Sequence, residues 1–287
     1  MSSLPELEGL RVRGRWPLPP GHRVAVVGAR RPTPYGEAVA ERLAGDLARL
    51  GAVVVSGLAL GIDGAAHRGS LEAGGCTAAV LGTGLDVIYP RSHSGLAEQI
   101  LAQGGCLISQ FPDQTPPQRA HFPRRNGTIA ALVDIVVVVE AGLGSGALIT
   151  AEAALALGKP VMAVPGSIFS PLSVGCHQLL RDGAGLVQNA RDVVAELGSD
   201  LPVLDDPLLP PAVLGLERQS ELGRDSLLPH LSDSLPAQVG HLAERLQLPL
   251  PEVIARLSRL ELEGAVRRWA GGYVRVPRPG GRLAGRR

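Results

Sequence analysis

The side chains best suited to chemistry lie together in Gln118–Ile129, which reads Gln-Arg-Ala-His-Phe-Pro-Arg-Arg-Asn-Gly-Thr-Ile. Arg119, Arg124 and Arg125 supply positive charge, Phe122 a flat apolar face, and Asn126 an amide that can read a base edge. A single nucleic-acid strand needs these parts: cations for its phosphates, an aromatic face for stacking, and a polar group for the base. The segment reads as a Pro-flanked loop between two apolar runs, Cys106–Ser109 and Ile135–Val139. α/β proteins hold ligands in such loops, at the ends of their strands.

Three glycine-rich turns follow other apolar runs. The first, Val27–Thr33, holds Gly28, Arg30, Arg31 and Thr33; the second, Val55–His67, holds Ser56, Gly57 and Gly61; the third, Glu140–Thr150, holds Gly144, Ser145, Gly146 and Thr150. Glycine lets backbone N–H groups approach an anion, and a following helix N-terminus adds the positive end of a dipole. The bland reading is that tight turns need glycine for geometry alone. Three such turns, joined by the arginine segment, favour phosphate binding. None is a dinucleotide fingerprint: Gly28 lacks the G-x-G-x-x-G spacing, and no Walker-A Gly-Lys-Ser/Thr occurs. NAD binding and P-loop hydrolysis are therefore disfavoured.

Ser56, Asp63 and His67 invite comparison with a nucleophilic triad. Asp63 and His67 lie one helical turn apart, but Ser56 ends a strand and no G-x-S-x-G elbow is present. A structural role fits better, with Asp63 favouring the helix dipole and His67 hydrogen-bonding nearby. Cys176-His177 has no second pair at metal-ligand spacing. No catalytic residue, metal or cofactor is assigned.

The elements that must position these groups alternate. Strands are expected at Arg23–Val27, Ala52–Ser56, Thr77–Leu81, Cys106–Ser109, Ile135–Glu140 and Val161–Val164, as continuous apolar runs typical of strands covered on both faces. Helices are expected from Thr33-Pro34 to about Leu50, and from near Ile62, Leu96 and Ala147, the last stopping at Leu157-Gly158-Lys159-Pro160. Repeated βα units imply a doubly wound parallel sheet. Residues 199–217 read as a Pro-rich linker. Beyond it, short helices at Leu227–Leu231 and Gln238–Leu246, a third at Pro251–Glu263 with Val253, Ile254, Leu257 and Leu260 on one face, and a hairpin over Val266–Val276 make a winged helix. Such modules bind duplex DNA or proteins. The expected division is an extension at 1–22, a doubly wound α/β domain at 23–198, the linker, a winged helix at 218–277 and a basic tail at 278–287.

The chain has 287 residues, 45% of them hydrophobic and only 3% aromatic, so Ala, Val and Leu must fill the core. Residues 1–217 carry 16 basic and 20 acidic groups, whereas from Gly264 onward there are seven arginines and no acid. The main body is no bulk polycation, so nucleic-acid binding there needs local clusters, to which the tail can add non-specific phosphate contacts. Three widely spaced cysteines and no signal pattern point to free thiols in a reducing cytoplasm. The longest apolar run is broken by Asp134 and too short for a membrane span.

In this order, the turns resemble the DNA processing protein A family, also called DprA or Smf. The resemblance rests on Val27-Gly-Ala-Arg30-x-x-Thr33-x-Tyr-Gly36, Ser56-Gly-Leu-Ala-Leu-Gly-Ile-Asp63-x-x-Ala-His67, Val80-Leu-Gly-x-Gly-Leu-Asp86-x-x-Tyr-Pro90, Phe122-Pro-x-Arg-Asn126, Ser145-Gly-x-Leu-Ile-Thr150-Ala and Ala163-Val-Pro-Gly166. It implies an extended Rossmann-like fold and a non-enzymatic, homodimeric protein that binds and protects single-stranded DNA. It further implies loading of RecA during natural transformation, in competence and recombination, with single-strand-binding protein as a further partner. The winged helix looks like the family's C-terminal module, with duplex DNA as a candidate contact. Carried over, Arg30 contacts phosphate, Arg119 and Phe122 hold the basic and aromatic positions, Arg125 and Asn126 complete that loop with His121 and Arg124 beside them, and Gly144, Ser145 and Gly146 form a third wall. The chain departs from the family pattern at Gly127, where an arginine is usual, at Gln110 and at Ala147. Many relatives have a further N-terminal helical domain; with about 22 residues before the first expected strand, it is expected to be absent or to have been removed. A competing reading is a Rossmann-like phosphoribohydrolase with Glu140 or Glu152 as acid/base, but its Pro-Gly-Gly-x-Gly-Thr turn is missing.

Overall fold

A computed structural model describes residues 9–198 and 227–276, which fall into two compact units. The linker at 199–217 and the tail at 278–287 lie outside the described residues.

The first unit is built on an eight-stranded sheet. Its strands are β1 (Arg11–Gly14), β2 (Arg23–Val27), β3 (Val53–Ser56), β4 (Thr77–Leu81), β5 (Cys106–Ser109), β6 (Ile135–Val138), β7 (Val161–Ala163) and β8 (Gly185–Leu186), in the order β1-β5-β4-β3-β2-β6-β7-β8. All neighbours run parallel except β1, which pairs antiparallel with β5. Between them lie α1 (Pro34–Arg49), α2 (Ile62–Glu72), α3 (Ser94–Ala102), α4 (His121–Leu132), α5 (Gly146–Ala156), α6 (Val174–Arg181) and α7 (Ala190–Glu196). The doubly wound α/β fold is as expected.

The apolar strands divide their side chains between two helical layers, because successive residues of a strand point to opposite faces. Val80 and Ile108 join a core with Ile129 and Leu132 of α4 and Ala147 and Ala151 of α5. Their neighbours Ala79, Leu81 and Leu107 join another with Leu71 of α2 and Leu96 and Ile100 of α3. Thr33 caps α1 as expected, its Oγ1 accepting the Gly36 N–H at 3.0 Å. Lys159, the single lysine, donates to Ala130 O at 2.9 Å and Ala131 O at 2.7 Å. It places a cation where the last carbonyls of α4 carry negative charge.

The largest correction concerns the arginine segment. From His121 onward it is helix, not loop. With Ala120 at the N-cap, Pro123 falls in the first turn, where a backbone N–H has no helical partner to lose. The early proline is thus a helix-compatible residue. Arg11–Gly14, within the expected extension at 1–22, is an edge strand with Arg11 opposite Ser109 and Gly14 opposite Cys106. A short run of Arg-Val-Arg-Gly has no apolar pattern of its own, and pairing with β5 creates the strand. The two-residue β8 escaped for the same reason.

The second unit contains a 3₁₀ turn (Leu228–His230), α8 (Val239–Leu246), α9 (Leu250–Leu262) and an antiparallel hairpin of β9 (Val266–Trp269) and β10 (Gly272–Arg275). Its core is Leu227, Leu242, Val253, Leu257, Leu260, Val266 and Tyr273. Two expectations change. Leu227–Leu231 makes only a single 3₁₀ turn around Pro229, and Ile254 is exposed rather than part of the core stripe.

Candidate nucleic-acid interface

The chain leaves β2 toward β3, β4 and β5 on one side, then returns to β6 on the other side of β2. This topological switch point opens a crevice at the carboxyl ends of β2 and β6. Backbone bonds lock its walls: Ala29 N–H donates to Glu140 O at 2.7 Å, and Ile62 N–H donates to Ala29 O at 3.2 Å. The cleft has a volume of about 240 Å³ and is lined by Gly28, Arg30, Asp63, Arg125, Asn126, Ser145, Gly146 and Thr150 over an apolar floor of Val27, Ile129 and Ala147. Beside it, a pocket of about 50 Å³ is lined by Arg30, Gly57, Leu60, Tyr89, Phe122 and Arg125.

The third wall begins α5. Ser145 Oγ accepts the Ala147 N–H at 3.4 Å, while Asn126 Nδ2 and Thr150 Oγ1 donate to Gly146 O at 2.9 and 3.5 Å. The first turn of α5 is thereby fixed, with Leu148 N–H also donating to Ser145 O at 3.0 Å, and the positive end of the helix dipole lies at the cleft. Such a terminus favours an anion.

Phe122 stands in the smaller pocket. The Arg30 guanidinium carbon lies 5.0 Å from its ring centroid and that of Arg125 5.9 Å away, within cation–π range. Tyr89 tilts against it at 5.9 Å between centroids. The other flank of α4 carries a separate stack: His121 lies on Phe111 at 4.2 Å, and Arg124 sits 5.6 Å from the Phe111 centroid. His121 Nδ1 is 3.2 Å from Gly82 O. Arg30, Arg31, Arg119 and Arg124 are exposed, and among the described residues none has a carboxylate partner.

Arg125 behaves differently from its neighbours. It is only 4% exposed, and its Nη1 donates to Gly57 O and to Val80 O. It therefore ties α4 to the ends of β3 and β4 as a buried brace that also lines both pockets, on a helix where a loop is expected. Gly57 is glycine because a Cβ there would overlap the Arg125 guanidinium. Asp63, also buried, accepts N–H groups from Gly57 at 3.1 Å and Ala59 at 3.4 Å. Burial pushes the Asp63 carboxyl above its usual range, opposed by the Arg125 charge and these backbone bonds. Burial likewise lowers Arg125, and Asp63 opposes that shift.

Ser56 is fully buried and donates from Oγ to Val26 O at 2.7 Å, so its side chain is committed to the sheet and not to a ligand. Thr33 is similarly committed to its cap. His67 Nδ1 lies 2.7 Å from Thr77 Oγ1, and Thr77 donates its own proton to Val54 O, so His67 is the donor of the pair. Burial first, then nearby His93, Arg125 and Arg68, holds its pKa down at about 3. It is a neutral strut between α2 and β4. Burial also pushes the Cys106 and Cys176 thiols up to about 12, consistent with unreactive free cysteines.

Thus the two pockets gather Gly28, Arg30, Gly57, Phe122, Arg125, Asn126, Ser145, Gly146 and Thr150 from the sequence-derived set. Arg31, Thr33, Ser56, Gly61, Arg119, His121, Arg124 and Gly144 line neither. Tyr89, Leu60 and Asp63 line them without having been singled out for binding. Tyr89 had a legible signal, an aromatic residue in a Gly/Pro-rich segment after a strand.

A doubly wound sheet with an anion-suited cleft at its switch point, an aromatic pocket flanked by guanidinium groups, and a winged-helix unit together define a Rossmann-like binding protein with a small C-terminal module. Residues 6–198 match the family described as DNA recombination-mediator protein A, and residues 212–272 match the DprA winged helix domain. The chain belongs to the DNA recombination-mediator protein A family. It is 42% identical over 256 residues to Protein Smf of Escherichia coli K12, covering 89% of this chain and 68% of that protein. The solved structure of DNA processing protein A from Streptococcus pneumoniae superposes with a TM-score of 0.62 at 42% identity, covering 68% of this chain and 66% of that one. The Helicobacter pylori DNA processing protein A, whose structure concerns its single-stranded DNA binding mode, gives a TM-score of 0.59 at 33% identity, covering 67% and 88%. The chain spans about two thirds of the length of the first two relatives.

Proposed function

We propose that the protein binds single-stranded DNA along the carboxyl edge of its sheet and acts without catalysis as a mediator of recombination. The observation that carries this reading is Phe122, half-buried beside the cleft with the Arg30 guanidinium 5.0 Å from its ring. Bases stack on the ring while phosphates meet Arg30 and the N-terminus of α5, and Arg119, Arg31 and Arg124 extend the positive rim. Stacking is indifferent to base identity, so binding is sequence-tolerant.

Membership of the family and the Helicobacter pylori relative support this reading. Its finer parts are proposals on the same footing: protection of the strand, loading of RecA, a single-strand-binding protein as further partner, a homodimer, and action in natural transformation in the cytoplasm. So is the domain division, with binding assigned to residues 23–198, a linker at 199–217 and the winged helix at 218–277. No helix among the described residues is long and apolar enough to cross a membrane.

The test is fluorescence anisotropy with labelled oligo-dT and a matched duplex over a salt series. Tight, salt-sensitive binding that prefers the single strand, weakened by Arg119→Ala, is expected. Equal affinity for both DNAs would sink the proposal.

A further inference from the structure

The most exposed large apolar side chains of the sheet unit are Ile168 at 80%, Leu143 at 79% and Phe169 at 72%. They lie together in sequence-distant loops at one place in the fold. Leu143 is in the β6–α5 turn, two residues before Ser145, which lines the cleft. Ile168 and Phe169 are in the β7–α6 loop. β6 and β7 are adjacent, with Val138 opposite Ala163, so both loops leave the same edge of the sheet. They are tied together there: Ala141 N–H donates to Leu172 O at 2.7 Å, and Gly175 N–H donates to Ala141 O at 2.8 Å. A tight turn fixes the tip, with Phe169 N–H donating to Ser167 Oγ at 3.3 Å and Ser170 N–H to Ser167 O at 3.0 Å. The exposure of Phe169 is therefore built into the loop.

Across the cleft, Leu60 and Tyr89 are exposed at 46% and 45%, next to Phe122. The cleft thus has an apolar lip on each side and Arg30 between them. No Asp, Glu, Lys or Arg occurs over residues 141–151 or 160–180 of the distal lip. A neutral, flat, apolar rim continuous with a cationic cleft suits an occupant that is polyanionic along its backbone and carries flat apolar faces. From β4, whose following loop carries Tyr89, to β7 is four strand spacings, roughly 19 Å at about 4.8 Å each. A strand touching both lips spans several nucleotides.

We propose that Phe169, supported by Ile168 and Leu143, is a second base-stacking platform for single-stranded nucleic acid on the far side of the cleft from Phe122. This rests on the reading of the cleft as a single-strand site. Phe169 is largely exposed, so replacing it leaves the fold intact.

The test compares the full-length protein with Phe169→Ala and Phe169→Trp, using labelled dT12 and an abasic 12-mer that has the same phosphates and no bases. Phe169→Ala is expected to weaken dT12 binding about tenfold, within the range for one stacked base, and to leave the abasic strand unaffected. Phe169→Trp retains affinity and shows indole quenching on dT12 addition beyond that of the native tryptophans. Unchanged dT12 affinity in Phe169→Ala, with Phe122→Ala still weakened, overturns the second platform and leaves the cleft reading standing. Failure of the wild type to bind dT12 overturns both. Loss of a higher-mass species by light scattering in Phe169→Ala, with dT12 affinity unchanged, overturns the platform in favour of a self-association surface.

Discussion

Replacing Arg125 with methionine tests whether the arginine segment acts as one cationic patch or divides into architecture and ligand contact. Arg125 is 4% exposed, and its Nη1 bonds the carbonyls of Gly57 and Val80, the latter at 2.9 Å. Methionine fills much of the same space but donates nothing. Two buried carbonyls lose a charged donor, each such bond being worth about 1.5–3 kcal/mol. Asp63 stays buried without the nearby charge that opposes its upward shift. These effects share groups and do not add, so the expected loss is about 3 kcal/mol, a large part of the ~5–15 kcal/mol stability of an ordinary domain. Urea unfolding followed by far-ultraviolet circular dichroism measures it from the midpoint at constant slope. Adding Asp63→Asn to Arg125→Met removes the stranded carboxylate and recovers part of the loss.

The binding readout separates the two roles. Each phosphate neutralised on a single strand adds about 0.7 to the slope of log affinity against log salt. Arg119→Ala, exposed and without a carboxylate partner among the described residues, lowers the slope by about that amount. Arg125→Lys, measured where it is folded, keeps the wild-type slope because the buried group releases no counterion. An Arg125→Met protein within about 1 kcal/mol of wild type whose slope drops by about 0.7 refutes the reasoning and returns Arg125 to the phosphate-binding set.

Phe122→Ala is expected to cost about 1–3 kcal/mol of single-strand affinity, the range for one stacked base; unchanged anisotropy with an intact fold removes Phe122 from the site. Gly127→Ala should stabilise the protein by about 0.5–1 kcal/mol, because a helical glycine is replaced where a Cβ meets nothing within 4 Å; thermal unfolding that shows no gain contradicts this. His67 predicts acid lability. Its folded pKa of about 3 lies below the ordinary 6.5, so only the unfolded chain takes up this proton as pH falls below 6.5. Its stabilising contribution is full above pH 6.5 and is lost toward pH 3, about 2 kcal/mol being gone by pH 5. Urea midpoints at pH 8 and pH 5 check the loss, which His67→Gln should reduce; an equal drop in that variant assigns the lability elsewhere.

The parallel sheet was legible because its inner strands are buried on both faces and therefore continuously apolar. Val53–Ser56 and Ile135–Val138 are wholly buried. The outermost strands were not legible, since Arg11–Gly14 and Gly185–Leu186 are held by backbone pairing on one side and bury little. The glycine turns were legible as a group but not individually. A Cβ at Gly28 would fall 2.7 Å from Ile62 Cγ1 and 2.8 Å from Glu140 O, so there packing alone demands glycine. Gly144 has open space around it and a φ of +72°, so there the turn itself does. Only the fold distinguishes these reasons, because the neighbours that crowd Gly28 come from elements far along the chain.

The arginine segment shows what a loop reading loses. In a loop, adjacent side chains can converge on one ligand. In a helix, consecutive residues point about 100° apart, while those three or four apart share a face. The segment therefore sorts into two stripes. Phe122, Arg125 and Ile129 face the pockets, with Asn126 beside them. His121 and Arg124 face outward onto Phe111, and Thr128 Oγ1 meets Gln110 Oε1 at 3.2 Å on that same side. Adjacent Arg124 and Arg125 consequently have opposite fates, one exposed and one a buried brace. The positive charge available to a strand comes from residues on separate elements, Arg30 after β2, Arg119 before α4 and Arg124 on its outer face. A site assembled this way depends on α4 being held in phase with the sheet, which is the work of Arg125, so the least accessible arginine of the segment is the one whose loss is expected to cost the fold most.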